Sequence, residues 1–245
     1  MTKTIWIFLA LLLSAQAFAE DIEVPEEELA RESTLPVFNR RRAVLNRNVL
    51  TAERIEVGLG AGMEANEPYY NDYMMALQGT YNYNETQALN ITGLYWAPGL
   101  SSYGNQLKAG RKHSPAQPND FAAFDASKAP HPAWGLFANY EYIAYYGKIS
   151  VTKQNVMNLN LFGIFGLGYI NMGAASTFGF NVGVGQNFFF TKNVGFRFDL
   201  RWLIFQGPDP TSKALDPNQA APSANAFSNR IFYNSQLGLA LVYIL

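Results

Sequence analysis

The sequence predicts an all-β fold: an eight-stranded antiparallel transmembrane β-barrel with short periplasmic turns and long extracellular loops. Three observations lead there. The first is residues 194–205, Val-Gly-Phe-Arg-Phe-Asp-Leu-Arg-Trp-Leu-Ile-Phe, which split by parity into two lists. Val194, Phe196, Phe198, Leu200, Trp202 and Ile204 are all apolar, whereas Gly195, Arg197, Asp199 and Arg201 precede Leu203 and Phe205. A period of two marks a β-strand with different surroundings on its two faces. An oily face backed by an ionic one suits lipid outside and a polar lumen inside. The second observation is that the same rule recurs from residue 54 to residue 245. The third is that the connections sort by length, with compact turns alternating with a set that includes two very long loops.

Residues 1–19 precede the fold. Lys3, an apolar core over residues 5–13 and Ala17-Phe18-Ala19 before Glu20 read as a signal peptide, too short for a spanning helix. Residues 20–50 form a charged N-terminal tail, expected in the periplasm. Its first half carries Glu20, Asp21, Glu23, Glu26, Glu27, Glu28 and Glu32, and its second half Arg40, Arg41, Arg42 and Arg47. Apolar residues there are too sparse for a buried helical face. The barrel is assigned to residues 51–245.

Composition narrows the function classes. The chain has no cysteine, so disulfides and thiolate chemistry are excluded. With Lys3 removed, 17 basic and 19 acidic residues remain, a net charge of −2, which argues against nucleic acid as a partner. Aromatics at 15% against charged residues at 15%, with no second apolar run that could span a bilayer as a helix, point to the outer membrane of a Gram-negative cell.

Strand one places Ile55, Val57, Leu59, Ala61 and Met63 outward, against Glu56, Gly58, Gly60, Gly62 and Glu64. Inward glycine is expected where a small barrel curves tightly. Strand two carries Tyr73, Met75, Leu77, Tyr81 and Tyr83 outward, and after the turn Asn84-Glu85-Thr86 strand three carries Leu89, Ile91 and Tyr95. Residues 98–132, rich in Pro, Gly, Ser and Asn, read as a long surface loop. Strand four has Trp134, Leu136, Ala138, Tyr140 and Tyr142 outward and Asn139 and Glu141 inward; a connection through Gly147-Lys148 then leads to strand five. There Met157, Leu159, Leu161, Phe165, Leu167 and Tyr169 face out, against Asn158, Asn160, Gly166 and Gly168. Strand six sets Phe178, Phe180, Val182, Val184 and Phe188 against Gly179, Asn181, Gly183, Gly185 and Asn187, and Thr191-Lys192-Asn193 turns into strand seven. Residues 206–229 form the second long loop, and strand eight runs to the end with Tyr233, Leu237, Leu239, Leu241, Tyr243 and Leu245 outward.

On this topology Tyr73, Tyr95, Trp134, Tyr169, Phe178, Trp202 and Tyr233 fall towards the outer rim. Tyr81, Tyr83, Tyr142, Tyr145, Phe188 and Tyr243 fall towards the inner one. Two girdles of this kind match rings that rest at the headgroups.

With the strands laid out, the chain resembles the small outer-membrane β-barrel domain family of myxobacteria and predatory bdellovibrios, an OmpA-like eight-stranded barrel. The resemblance spans about residues 46–245. It rests on Asn46-Arg47 before Arg54-Ile-Glu-Val-Gly, on Asn66-Glu-Pro-Tyr-Tyr-Asn-Asp-Tyr73, on Thr80-Tyr-Asn-Tyr-Asn-Glu85, on Tyr146-Gly-Lys148 and on the glycine-alternating residues 162–169. It implies an eight-stranded barrel of largely undefined biochemical role. The last strand is also similar to a barrel-assembly signal, ending in Leu245 where an aromatic is usual.

The candidate chemistry is sparse. Glu56, Glu141, Arg197, Asp199 and Arg201 face the lumen, which in an eight-stranded barrel is only wide enough for side chains, so these charges are expected to pair as a closing network. His113 and His131 share one proline-rich loop without ligands at metal-site spacing and read as surface histidines. No nucleophile sits beside a base on a rigid element. Catalytic, cofactor and metal sites are therefore expected to be none. The expectation is an integral barrel with a structural or interaction role, whose partners are outer-membrane lipids and, through strand eight, the barrel-assembly machinery. The alternative is a small pore, or a homo-oligomer that encloses lipid or a transport path, favoured by small outward residues such as Gly79, Gly93, Gly163, Ala138 and Ala144.

Overall fold

The structure, a computed structural model, describes residues 47–110, 121–150 and 156–245. The signal peptide, most of the tail and His113 lie outside the described residues. Among the described residues eight strands close into one antiparallel barrel: β1 (Ile55–Glu64), β2 (Tyr73–Asn82), β3 (Gln87–Trp96), β4 (Trp134–Ser150), β5 (Val156–Asn171), β6 (Ser176–Phe189), β7 (Val194–Pro208) and β8 (Asn229–Ile244). Each strand pairs with its neighbours in sequence, and β8 closes the ring on β1 in the register Glu56↔Ile244 to Glu64↔Gln236. Closure leaves the ring itself without an unpaired edge, while the end of β4, from Tyr145 to Ser150, pairs on β5 alone. Ile55 and Ile244 lie at the same end, here the terminal rim; the connections 65–72, 97–133, 172–175 and 209–228 lie at the other, the loop rim.

Parity decides burial as the alternation predicts. Outward side chains are bare, as at Leu167 (67% exposed) and Phe178 (79%), while Phe137, Ile170 and Arg197 on the inward parity are 0% exposed. Two local departures have physical causes. The β4–β5 register shifts between Ile143 and Tyr145, a bulge that turns Tyr145 outward and Tyr146 inward. Gly147 and Lys148 are therefore strand, and β4 runs to Ser150; the slip in parity hides this continuation from the sequence. Leu159, expected on the outer face, is buried. The Tyr145 ring lies across Gly147, the register partner of Leu159, and covers that part of the wall.

The interior is layered along the barrel axis. At the terminal rim Val49, Phe189 and Ile244 form an apolar plug. Towards the loop rim Met74, Leu94, Trp96, Phe137, Ile170, Met172, Leu203 and Phe205 form a larger one. Between them polar and charged side chains share the space with a third apolar cluster of Ile143, Phe162 and Ile164. Inward glycines make room for them: a Cβ on Gly168 would strike the Phe137 ring, and one on Gly166 would strike the Ala138 carbonyl and Asn139 Oδ1.

The connection 97–133 is more ordered than a plain loop. It contains α1 (Ser102–Ala109), whose start is capped by Ser101 Oγ accepting from Gly104 N at 3.0 Å and whose end is Gly110 at φ 65°. It packs on the β7–β8 connection through Phe124, Ala129, Leu215 and Phe227. Lys128 Nζ donates to the carbonyls of Asp216 (2.6 Å), Pro217 (2.9 Å) and Gln219. His131 is half-buried, stacked on Tyr70 with ring centroids 4.2 Å apart, so it is not a free surface histidine. The apolar residues of this cap are isolated in sequence and show no period, which is why only its polarity was legible.

These packing distances make the glycines unequal. Gly166→Ala is expected to destabilise the barrel by about 1–3 kcal/mol through overpacking, whereas Gly79→Ala, which meets nothing within 4 Å, should be neutral. Urea unfolding in lipid vesicles, followed by tryptophan fluorescence, measures both; equal midpoints for the two variants would contradict the packing described.

Candidate functional site in the barrel interior and at its rims

Strand parity aims Arg197, Asp199 and Arg201 of β7 into the lumen, where Glu141 of β4 meets them. The Arg197 guanidinium donates to both carboxylate oxygens of Glu141, Nη2 at 2.7 Å and Nη1 at 3.2 Å, and its Nε lies 3.4 Å from Asp199 Oδ2. Arg201 holds the same Asp199 by Nε at 2.7 Å and Nη2 at 3.3 Å. The plane of Arg197 also sits over the Phe162 ring, 4.0 Å from its centroid. Four of the five expected charges thus form one chain, Glu141–Arg197–Asp199–Arg201. The fifth, Glu56, is buried but accepts its hydrogen bond from Asn82 Nδ2 at 3.0 Å.

The network extends into neutral groups that a search for charges overlooks. Arg201 Nη1 donates to Thr92 Oγ1 (3.3 Å), Thr92 to Asn90 Oδ1 (2.6 Å), and Asn90 Nδ2 to Thr80 Oγ1 (2.8 Å). Asn139 Nδ2 reaches Asn90 Oδ1 and Asn181 Nδ2 reaches Asn139 Oδ1, both at 2.8 Å. Nearer the loop rim, buried Glu64 accepts from Trp96 Nε1 (2.8 Å), Gln236 Nε2 (2.8 Å) and Asn234 Nδ2 (3.1 Å). The signal for this cluster was present in the inward parity of Trp96, Asn234 and Gln236, but it needed the ring-closing register to bring them to Glu64.

At the terminal rim the last residues of the charged tail lie against the barrel. Glu85, in the β2–β3 turn, accepts from Arg47 Nη1 (2.7 Å), Thr51 N and Oγ1 (3.2 and 3.1 Å) and Ala52 N (3.1 Å). Asn48 N and Val49 N donate to the Tyr146 hydroxyl, which donates to Asn158 Oδ1 at 3.0 Å. The segment then turns through Glu53, at φ 61°, into β1. Arg47 packs its guanidinium on Tyr146, 4.6 Å from the ring centroid.

At the loop rim a cavity of about 440 Å³ is bounded by Glu67, Tyr69, Asp209, Arg230 and Tyr233. Burial pushes the Glu67 carboxyl up to about 7, against the Tyr69 N–H that favours its ionised form and with Glu64 and Asp72 adding repulsion. The expected interface aromatics Tyr73, Tyr95, Trp134, Tyr142, Trp202 and Tyr243 are all exposed on the wall. Rings touch along it: Trp134–Tyr169 and Tyr169–Phe178 towards the loop rim, and Tyr81–Tyr83 at the terminal rim.

No protein-family model matches the chain, and no curated protein matches it in sequence. Three solved structures align with it over most of their length. The N-terminal β-barrel domain of Pseudomonas aeruginosa OprF is 10% identical over 79% of this chain and 98% of its own, with a TM-score of 0.45. Ail, the attachment invasion locus protein of Yersinia pestis, is 11% identical over 79% and 99%, at 0.30. Neisserial surface protein A is 10% identical over 78% and 95%, at 0.35. These likenesses assign the chain to no family.

Removing one member of the buried chain should be costly. Arg197→Met is expected to lose about 3–5 kcal/mol by stranding Glu141, and Arg197→Met with Glu141→Leu to lose less than the two single changes together. Urea unfolding of the four proteins tests this; strict additivity would remove the coupling. Glu67 gives a pH signature of known sign. Its folded carboxyl keeps a proton that the unfolded one, at its ordinary 4.5, releases. Stability of the loop rim should therefore decline as pH rises from 4.5 through about 7. Glu67→Gln should abolish the decline, read as hydrogen exchange of residues 65–72; a slope of opposite sign would refute it.

Proposed function

We propose that the chain is an integral outer-membrane β-barrel protein with a structural or interaction role, its lumen closed by side chains and its specificity carried by the rims. One observation carries this reading: the protein is inside out relative to a water-soluble domain. Leucine, phenylalanine and tyrosine cover the wall, while Arg197, Glu141, Asp199 and Arg201 are buried. Exposed to water, that wall would lose about 25 cal/mol for each Å² left unburied; in hydrocarbon it loses nothing. The eight strands pair in one closed antiparallel ladder, the arrangement that satisfies backbone polar groups within a bilayer.

A filled interior supports closure. Between the two apolar plugs, a cavity of about 20 Å³ beside Gln78, Asp199, Arg201 and Gln236 has room for about one water. Beside it Asp199 and Arg201 are paired with each other and Gln236 donates to Glu64, which supports a non-catalytic role. On this reading the terminal rim faces the periplasm and the loop cap faces outward. The exposed aromatics sit at the headgroups, outer-membrane lipids cover the wall, and β8 engages the barrel-assembly machinery. The fold is compatible with the bdellovibrio and myxobacterial resemblance of the sequence. A second reading, a homo-oligomer, draws on the bare wall at Gly79 and Gly163, where nothing lies within 4 Å of an added Cβ. Native mass spectrometry in mild detergent separates the two, a single copy excluding the oligomer.

Because the chain has no cysteine, introduced ones report topology cleanly. A cysteine replacing Asn218 should react with a membrane-impermeant maleimide on intact cells. One replacing Thr191 should react only after the outer membrane is permeabilised. The opposite order would invert the orientation, and equal labelling would remove the membrane reading. In planar bilayers neither the native protein nor Arg197→Gln/Arg201→Gln should conduct; steady single-channel currents from the native protein would favour a pore.

A further inference from the structure

The buried charges of the ionic layer do not balance. Among the described residues, Glu56, Glu141 and Asp199 stand there against Arg197 and Arg201. Arg197 is committed to Glu141 and Asp199, and Arg201 to Asp199. Glu56 is 4% exposed, with one neutral amide as its hydrogen-bond donor and with Glu141, Arg197 and Glu85 as its charged neighbours. An ionised carboxylate left without a counter-charge in such a place is costly.

Two orphan acceptors occupy the same end of the lumen. Asn160 and Asn187 face each other across β5 and β6, each 3% exposed, and the Oδ1 atom of each has no hydrogen-bond partner. Their height in the barrel follows from the register. Asn187 pairs with Arg197, and Phe189, two residues further along the same face, packs on Ile244, the register partner of Glu56. A carboxylate short of a positive charge and two amide oxygens short of a donor are complementary to a hard cation, which binds through oxygen. Among the described residues no three acidic or imidazole groups converge to hold a metal ion, so a site with one spare negative charge suits a singly charged ion.

We propose that the lumen beneath the Arg197–Glu141 pair binds one sodium or potassium ion. The Glu56 carboxylate supplies the charge, and Asn160 Oδ1 and Asn187 Oδ1 supply neutral ligands, with water completing the shell. Apolar clusters close both ends, so the ion is taken up as the barrel folds or when the smaller terminal plug of Val49, Phe189 and Ile244 opens. It is a resident counter-ion that completes the packing, and it extends the closed-barrel reading without depending on which membrane holds the protein.

The test uses the full chain in lipid nanodiscs at neutral pH and matched ionic strength, melted in the chloride salts of sodium, potassium and N-methyl-D-glucamine. A saturable rise in Tm of about 2–4 °C in sodium or potassium over the bulky cation is expected. Glu56→Gln should abolish the rise, and in N-methyl-D-glucamine should melt no lower than the native chain, since it removes the unbalanced charge. Asn160→Ala/Asn187→Ala should raise the half-saturating salt concentration several-fold, and serves alone if Glu56→Gln does not fold. Identical melting of the native chain in all three salts overturns the proposal, as does a cation effect that survives Glu56→Gln. An infrared band of a protonated carboxyl in the native protein, absent from Glu56→Gln, overturns it too, by showing that a proton neutralises the group.

Discussion

Arg197 is the side chain on which the interior depends. It is wholly buried, and its guanidinium meets a carboxylate on each side and an aromatic ring on its face. A buried guanidinium is tolerable only where nearly every N–H finds an acceptor. That condition fixes Glu141 across the lumen, Asp199 beside it and, through Asp199, Arg201. Arg201 in turn anchors Thr92 and the ladder of amides and hydroxyls behind it. The strands cannot slip by one residue without turning this set towards the outer wall and the oily set into the lumen. Register, closure and charge pairing are therefore one constraint.

The two apolar plugs bracket that polar layer. The terminal plug includes Val49, which belongs to the segment entering the barrel, so the chain stoppers its own mouth as it begins β1. Glu85 holds the segment in place with charge-assisted hydrogen bonds, and Tyr146 ties it to the lumen through Asn158. At the opposite rim the α1 cap seals itself on the β7–β8 connection with a small core of its own. A barrel stoppered at both ends leaves the rims as its adaptable surface, since connections tolerate change that a packed lumen does not. On the proposed reading, interaction belongs to the cap and to the cavity beside Glu67 and Arg230.

The alternation determined a great deal alone. A side-chain period of two states which face each residue takes, so eight strands, the inward charges Glu56, Glu141, Arg197, Asp199 and Arg201, and the outward aromatics were all legible without coordinates. Parity is a property of the backbone and needs no knowledge of neighbours. It failed at Ile143–Tyr145, where the bulge inserts one residue and the rule resumes on the opposite phase.

Partners were decided only in three dimensions. Nothing in the spacing of Glu64, Trp96, Asn234 and Gln236 brings them together; the closing pair β8–β1 and the turn of the wall do so. The same holds for the cap, where Phe124 and Leu215 are neighbours only after two connections have folded against each other. Even within the foreseen set, sequence could name the charges but not show that Glu56 stands apart from the ion-pair chain, because pairing depends on height in the lumen and reach across it. Faces follow from local geometry, which sequence carries; contacts follow from closure of the sheet, which only the folded barrel supplies.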